Sequence, residues 1–306
     1  MDYITYAVPF FLLALLAELA YGIAIKKNTY RLNDAISNLF MGTLRTANKL
    51  IIIGAAGYVF YTVETKFALW RMDASLAITW IFAFVVYDFF YYWFHRISHE
   101  RQIFWASHAA HHQSEDYNLS TALRQTGTGA FVSWVFYTPM FLIGIPSYVF
   151  VSVASLNLIY QFWVHSEHIP KLGWYENYFV TASNHRVHHA QNEQYIDKNY
   201  GGVFIIWDRM FGTHKVEDEN EACIYGIRST LNTFNPIWAN LHVYVKIMKE
   251  IWFSKDWKDK LYAPFARTSW TPKSFSLKSH KDNFDPETFK KYDPIITKNQ
   301  KIYALF

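Results

Sequence analysis

Cysteine is almost absent from this chain: Cys223 is the only one among 306 residues. A single cysteine excludes an internal disulfide framework and any metal site built from cysteine thiolates. A strong charge of one sign is also missing, since the formal net charge is +4 and no basic stripe marks a nucleic-acid surface. The chain has no internal repeat, no phosphate-binding glycine loop and no dinucleotide fingerprint. It therefore carries no nucleotide-cofactor site of a familiar kind.

Apolar residues are abundant, at 52% of the chain, and 20% of the residues are aromatic. They are concentrated in residues 1–94 and 129–164, while the remaining polar segments carry nearly all the histidines. The length fits one large domain. This division predicts a membrane protein in which apolar spans are followed by a polar, histidine-rich part.

The apolar part predicts several membrane-spanning segments. Residues 4–25 contain one charged residue, Glu18, in 22 positions, which fits a helix that spans a bilayer. They lack a basic leading segment and are too long for a signal peptide. We predict further spans at 40–62 and 75–94, and a helical hairpin at 129–164.

The distribution of lysine and arginine predicts the orientation. Lys26, Lys27 and Arg31 follow the first span, whereas no basic residue precedes it. The positive-inside rule then places the N-terminus outside and residues 26–39 in the cytoplasm, in a bacterial inner membrane or the endoplasmic reticulum. Counting spans places a histidine-rich cap, residues 95–128 and 165–253, on the cytosolic side. A polar tail, residues 254–306, is expected to pack on this cap.

Nine of the 13 histidines form a repeated pattern. It consists of one H-x-x-x-H motif, two H-x-x-H-H motifs and one intervening histidine: His95, His99, His108, His111, His112, His165, His185, His188 and His189. Residues three and four apart share one face of a helix, so each cluster can direct imidazoles toward one point. Imidazole suits iron, zinc and copper, and two octahedral metals offer about twelve positions. Nine rings would leave about three positions for oxygen or water, which predicts an open site with two metals.

The histidine motifs and their flanking strings resemble a known superfamily, the fatty acid hydroxylases and sterol desaturases. The similar strings are DFFYYWFHRISHE at 88–100, HAAHHQSEDYNLSTALRQ at 108–125, QFWVHSE at 161–167, HRVHH at 185–189 and IDKNYGGVFIIWDRMFGT at 196–213. The longer strings are similar to the alkylglycerol monooxygenase branch. The resemblance covers roughly residues 30–245. The last residues, 301–306, look like the start of the further spans that animal members carry.

The resemblance implies an all-α fold, a multi-pass bundle of membrane helices with a cytosolic helical cap that holds the histidine-rich dimetal site. It also implies a membrane-bound enzyme with two iron ions that hydroxylates a lipid chain with O₂. For the alkylglycerol branch, it implies an ether lipid as substrate and tetrahydrobiopterin as a separate electron donor. Hydroxylation beside the ether oxygen gives a hemiacetal that collapses to an aldehyde. A hydroxylase or desaturase of sterols, carotenoids or fatty acyl chains is the main alternative. A membrane metal-binding or transport protein is a more distant one, because the histidines follow the spans instead of lying inside them.

Polar neighbours of the motifs are candidates to support the ligands. Metal-bound histidines usually donate their second ring nitrogen to a carboxylate or a carbonyl. The candidates near the motifs are Asp88, Glu100, Asn118 and Glu167. Of the other histidines, we expect His168 to be a neighbour of the site or a surface residue, and His214, His242 and His280 to have ordinary packing roles. No residue is predicted to bind the electron donor.

Overall fold

The computed structural model describes residues 2–274, 284–295 and 297–303, without the side chains of 47–53, 55 and 301–303. Within these ranges the regular elements are helices, and strand-like pairing is limited to three isolated β-bridges. This confirms the all-α prediction. The α-helices are α1 Ile4–Ala24, α2 Leu32–Lys66, α3 Ala77–Glu100, α4 Gln102–Ala106, α5 Ala109–His112, α6 Leu119–Leu123, α7 Ala130–Ile143, α8 Ser147–Trp163, α9 Ala182–His189, α10 Ile206–Met210, α11 Pro236–Phe253, α12 Trp257–Tyr262 and α13 Lys298–Tyr303.

Two helices, α1 and α3, are long and apolar enough to cross a membrane. They agree with the predicted spans at 4–25 and 75–94. The predicted span at 40–62 lies inside α2. The side chains of 47–53 and 55, which belong to this span, are not among those described. The predicted hairpin at 129–164 forms as α7 and α8. At its turn Gly144 has φ 92°, and a Cβ there would lie 1.9 Å from the carbonyl oxygen of Trp70, so glycine is required.

Aromatic packing holds the apolar helices together. α3 packs against both α7 and α8, and the rings of Tyr87 and Tyr137 stack 4.9 Å apart between α3 and α7. α1 lies against α6 and α8, where Phe11 stacks on Phe162 at 4.1 Å. These contacts bring the C-terminal ends of α3 and α8 to the same side of the bundle, where the polar segments begin.

The polar segments pack over these helix ends. Short helices α4 and α5 follow α3 directly, and α11 lies across both of them. Residues 257–265 of the tail are helical, and the later segment 284–295 contacts the chain just after α5. There the Lys291 Nζ lies 2.7 Å from a carboxylate oxygen of Asp116, and the amide of Tyr292 donates to Glu115.

Candidate metal centre

The structure brings all nine histidines of the sequence motifs together in two adjoining groups. The five-histidine group contains His95, His99, His108, His112 and His188, and the four-histidine group contains His111, His165, His185 and His189. Within each group the candidate ligand atoms lie within 4.8 Å of one another. Every ring is buried except that of His108, which is partly exposed.

Helical geometry explains how each H-x-x-H-H motif serves both groups. Residues four apart share a helix face, whereas neighbours along the chain point about 100° apart. His108 and His112 therefore point into the five-histidine group, while His111 between them points into the other. In the last motif His185 and His189 belong to the four-histidine group and His188 crosses to the five-histidine group. The paired histidines of each motif thus link two potential metal positions.

The Nε2 atoms face each other in both groups. In the five-histidine group the Nε2 of His108 lies 3.1 Å from that of His95 and 3.0 Å from that of His112. In the four-histidine group the Nε2 of His185 lies 3.1 Å from that of His165 and 3.2 Å from that of His189. Imidazole nitrogens that converge in this way are arranged as ligands of a common ion.

Backbone carbonyls fix the tautomer of four histidine rings, that is, which ring nitrogen carries the proton. The Nδ1–H of His111 donates to the carbonyl of Arg124 at 2.8 Å, and that of His165 donates to the carbonyl of Gln161 at 2.8 Å. A carbonyl only accepts, so the proton of each neutral ring is on Nδ1 and a lone pair remains on Nε2. His95 and His188 are held in the same way, by the carbonyls of Tyr200 at 2.8 Å and Lys198 at 3.0 Å.

Burial keeps the rings neutral. It lowers the pKa of His111 to about 4 and holds the pKa of His165 well below its ordinary value. The pKa values of His108, His112, His185, His188 and His189 are lowered by burial first and by neighbouring histidines second. Neutral imidazole is the form that binds a metal.

These contacts fit a bound cation. The Nε2 atoms of His111 and His165 lie 3.4 Å apart, and since both bear lone pairs they cannot hydrogen-bond to each other. The Nε2 atoms of His99 and His188 are buried without any hydrogen-bond partner. Buried polar atoms without partners are costly, and a metal ion shared by the facing lone pairs would remove that cost. The donor set, all imidazole, suits iron, zinc or copper.

Asp88, one of the expected supporting residues, acts at a distance. Its fully buried carboxylate does not hydrogen-bond to any of the nine histidines. It accepts instead from Asn157, the amides of Val203 and Phe204, and the indole of Trp207. Gly202 lies so close that a Cβ there would be 2.8 Å from the Asp88 Oδ1. Asp88 thereby fixes the segment whose Tyr200 carbonyl holds His95.

The other expected residues have local roles. Glu100 pairs with Arg96 at 2.8 Å, one turn earlier on α3. Asn118 caps the N-terminus of α6, where its side chain accepts from the amide of Ser120. Glu167 lies near Tyr225 and raises the pKa of that phenol, although burial is the larger cause.

Three of the residues that support the histidine rings were not predicted from the sequence. Arg124 is buried and donates to the carbonyl of Ala110 at 2.7 Å, while its own carbonyl accepts from His111. Asp197 places a carboxylate oxygen 3.8 Å from the Nδ1 of His99. Glu18 accepts from Ser166, the residue after His165, at 2.5 Å. Only Glu18 carried a signal, because a lone carboxylate inside an apolar span is costly unless it is paired.

The histidines outside the motifs join neither group. His168 packs edge-on against Tyr21 at 5.4 Å, and His242 lies on α11 beside Gln113. His214 follows α10 and is partly buried. His280 lies outside the described residues.

Comparisons with known proteins agree with this site. The fatty acid hydroxylase family profile matches residues 80–213, which include all nine histidines. Similar curated proteins are alkylglycerol monooxygenases. That of Homo sapiens is 42% identical over 274 residues, 89% of this chain and 60% of its own length. That of Xenopus tropicalis is 39% identical over 271 residues, with coverage of 89% and 60%. That of Danio rerio is 39% identical over 272 residues, with coverage of 88% and 60%.

These matches confirm the resemblance inferred from the histidine motifs. The chain spans about 60% of the length of these relatives. No solved structure matches the chain.

Proposed function

We propose that this chain is a member of the fatty acid hydroxylase family and a membrane-bound monooxygenase that cleaves ether lipids. The match to the family profile and the similarity to alkylglycerol monooxygenases support this proposal. The observation that carries the proposal is that the Nε2 lone pairs of His111 and His165 face each other. In each ring the Nδ1–H donates to a backbone carbonyl, which leaves the lone pair on Nε2. Such rings are prepared to bind metal before a metal arrives.

Two iron ions are the proposed occupants, one in each histidine group. When bound, iron supplies the one-electron chemistry needed to activate O₂ toward an unactivated C–H bond. The chain's own residues hold and orient it: carbonyls fix the rings of His95, His111, His165 and His188, and burial excludes water from all but the His108 side. Zinc would fill the same rings without redox activity.

The proposed reaction inserts one oxygen atom of O₂ into the C–H bond beside the ether oxygen. The other atom leaves as water and takes two electrons and two protons from a separate donor. The resulting hemiacetal breaks its C–O bond and gives a fatty aldehyde and a glycerol compound. The donor is proposed to be separate because the sequence shows no nucleotide-binding motif. Tetrahydrobiopterin is proposed because the resemblance to the alkylglycerol monooxygenases implies it.

The proposed location is a multi-pass membrane position with the histidine groups on the cytosolic side. Lysine and arginine placement around α1 and the two apolar helices support it. In a Cys223→Ser background, Asp2→Cys should react with an impermeant thiol reagent in intact cells and Glu219→Cys should not. Glu219 suits this purpose because its side chain is exposed, whereas Glu217 pairs with Arg186 at 2.7 Å. The reverse labelling would overturn the orientation.

The activity is tested with purified, iron-loaded protein, an alkylglycerol, O₂ and tetrahydrobiopterin, with fatty aldehyde as the product measured. A His111→Ala protein serves as the inactive control. Aldehyde that forms only with the unmodified protein supports the proposal. If a sterol, carotenoid or acyl lipid is hydroxylated instead, the ether-lipid assignment fails and the lipid oxygenase assignment stands. Metal movement across vesicles without substrate oxidation would favour the transport alternative.

A further inference from the structure

Helix α11 has three distinct faces. One face is buried against α4 and α5, through Ala239, Val243 and Ile247. A second face is apolar but exposed, and its residues recur at helical spacing: Ile237, Leu241, Met248 and Trp252 are 64%, 43%, 67% and 79% exposed. The narrow edge between these two faces is polar and contains His242, Lys246 and Lys249. We call the second face the α11 stripe.

The composition around the α11 stripe is that of a helix at a membrane surface. Exposed tryptophan is concentrated here, at Trp238, Trp252 and, in α12, Trp257. Lysines surround these aromatic residues at 246, 249, 255, 258 and 260, and they outnumber the acidic residues of the same stretch, Glu250, Asp256 and Asp259. Lys246 lies 3.8 Å from Glu250, which leaves Lys249 as the lysine of α11 without an acidic partner within 4 Å among the described residues. Tryptophan prefers the boundary between headgroups and acyl chains, and lysine prefers anionic headgroups. A water-facing helix with only a scattering of apolar residues would lack this segregation.

The position of α11 in the fold agrees with its composition. Asn240 on α11 accepts from the amide of Gly127 at 2.8 Å, three residues before the apolar helix α7 begins at Ala130. The same side chain contacts the Sδ of Met41 on α2. α11 therefore lies beside the point where the chain passes into the apolar helices, at the level where a membrane surface would meet them.

We propose that α11 lies in the plane of the membrane surface, with the α11 stripe among the acyl chains and its lysine edge against anionic headgroups. The occupant of this face is thus the lipid surface itself. Because the opposite face of α11 packs on α4 and α5, which carry or adjoin the histidines, the helix would hold the metal centre against the bilayer. This inference concerns residues beyond the 80–213 family match and does not depend on which lipid is oxidised.

The test uses the full chain in a Cys223→Ser background, reconstituted into vesicles of phosphatidylcholine with phosphatidylglycerol. Met248→Cys places a nitrobenzoxadiazole label on the α11 stripe, and Lys249→Cys places it on the lysine edge of the same turn. Spin-labelled phospholipid reports contact with acyl chains, and aqueous iodide reports contact with water. The label at 248 should emit at shorter wavelength and be quenched several-fold more by the lipid probe than the label at 249. Pure phosphatidylcholine should reduce that difference.

Two results would overturn the proposal, and a third would overturn its anionic-lipid part. Equal quenching of both labels by iodide would show a water-facing helix. Shielding of position 248 from both quenchers, together with disulfide-linked dimers of Met248→Cys, would show that a second copy covers the stripe. A difference that is the same with and without phosphatidylglycerol would remove the anionic lipid from the proposal. None of these readouts requires enzymatic activity, so they remain informative if the proposed function fails.

Discussion

The two histidine groups differ in number, exposure and support. The five-histidine group includes the partly exposed His108 and has a carboxylate, Asp197, close to His99. The four-histidine group is buried throughout, and its supports are the carbonyls of Arg124 and Gln161 and, through Ser166, the carboxylate of Glu18. The first group reaches partial exposure at His108, while all four rings of the second are buried.

The difference indicates unequal roles for the two proposed metals. An open coordination site distinguishes a reactive metal from a structural one. The five-histidine group has one ring more than the other group and is partly exposed. It should therefore still bind a metal ion after one ring is lost. The four-histidine group has no spare donor, so its metal should depend on every ring.

Removing one ring from each group should give the largest effects. Both His111→Ala and His188→Ala should abolish lipid oxidation, because the proposed reaction requires a metal in each group. Metal content should separate them: His111→Ala leaves three rings in its group and should lose about one of the two ions, while His188→Ala leaves four and should retain more. Metal analysis of the purified proteins, loaded with iron under identical conditions, makes the measurement. Full activity of His111→Ala with intact metal content would refute the assignment.

The support of the four-histidine group by Glu18 should give the next largest effect. Glu18 accepts from the Tyr30 hydroxyl, the Leu119 amide and the Ser166 hydroxyl. Glu18→Leu leaves the buried Leu119 amide and Ser166 hydroxyl unpaired, at about 1–3 kcal/mol for each. The Tyr30 hydroxyl is only partly buried and adds less. We expect a lower unfolding temperature in detergent and weaker metal binding in the four-histidine group.

Glu18→Gln is the matched control, because its carbonyl oxygen still accepts and the Ser166 hydroxyl can rotate to accept from the amide. It should keep most of the stability and metal that Glu18→Leu loses. Equal stability of all three proteins would mean that the contacts of Glu18 do not support the site.

The sequence predicted the helices and the ligand candidates better than their supports. Apolar length located α1, α3 and the α7–α8 hairpin, and histidine spacing identified rings that the fold brings together. Most of the groups that orient the ligand rings could not be predicted, because they are backbone carbonyls, such as those of Arg124 and Gln161. Every residue has a backbone carbonyl, so no residue type indicates which ones contact a ring. Asp88 contacts the amide of Val203, 115 residues away, and sequence proximity to His95 suggested a direct contact that the fold does not make.

The carboxylate beside the five-histidine group should have a smaller effect. A carboxylate oxygen of Asp197 lies 3.8 Å from the Nδ1 of His99. A carboxylate near the nitrogen that does not bind the metal raises the basicity of the nitrogen that does. Asp197 has φ 57°, a conformation that asparagine also tolerates, so Asp197→Asn removes the charge without straining the turn. We expect metal affinity of the five-histidine group to fall by about tenfold, with the four-histidine group unchanged. Competition with a chelator, followed by metal analysis, would detect this, and an equal loss from both groups would contradict it.

The smallest effect should follow substitution of His168, three residues beyond His165. Its ring belongs to neither group and packs edge-on against Tyr21 on α1 at 5.4 Å, with its Nε2 buried and unpartnered. Gln replaces the ring with a polar side chain of smaller volume, so His168→Gln should change stability by no more than about 1 kcal/mol and leave both metals bound. His165→Gln is the matched comparison, because it makes the same chemical change in a ring whose Nε2 faces His111 and His185. Metal analysis of the two proteins side by side decides the point. Loss of metal from His168→Gln equal to that from His165→Gln would extend the four-histidine group to a fifth ring and remove the inequality between the two groups.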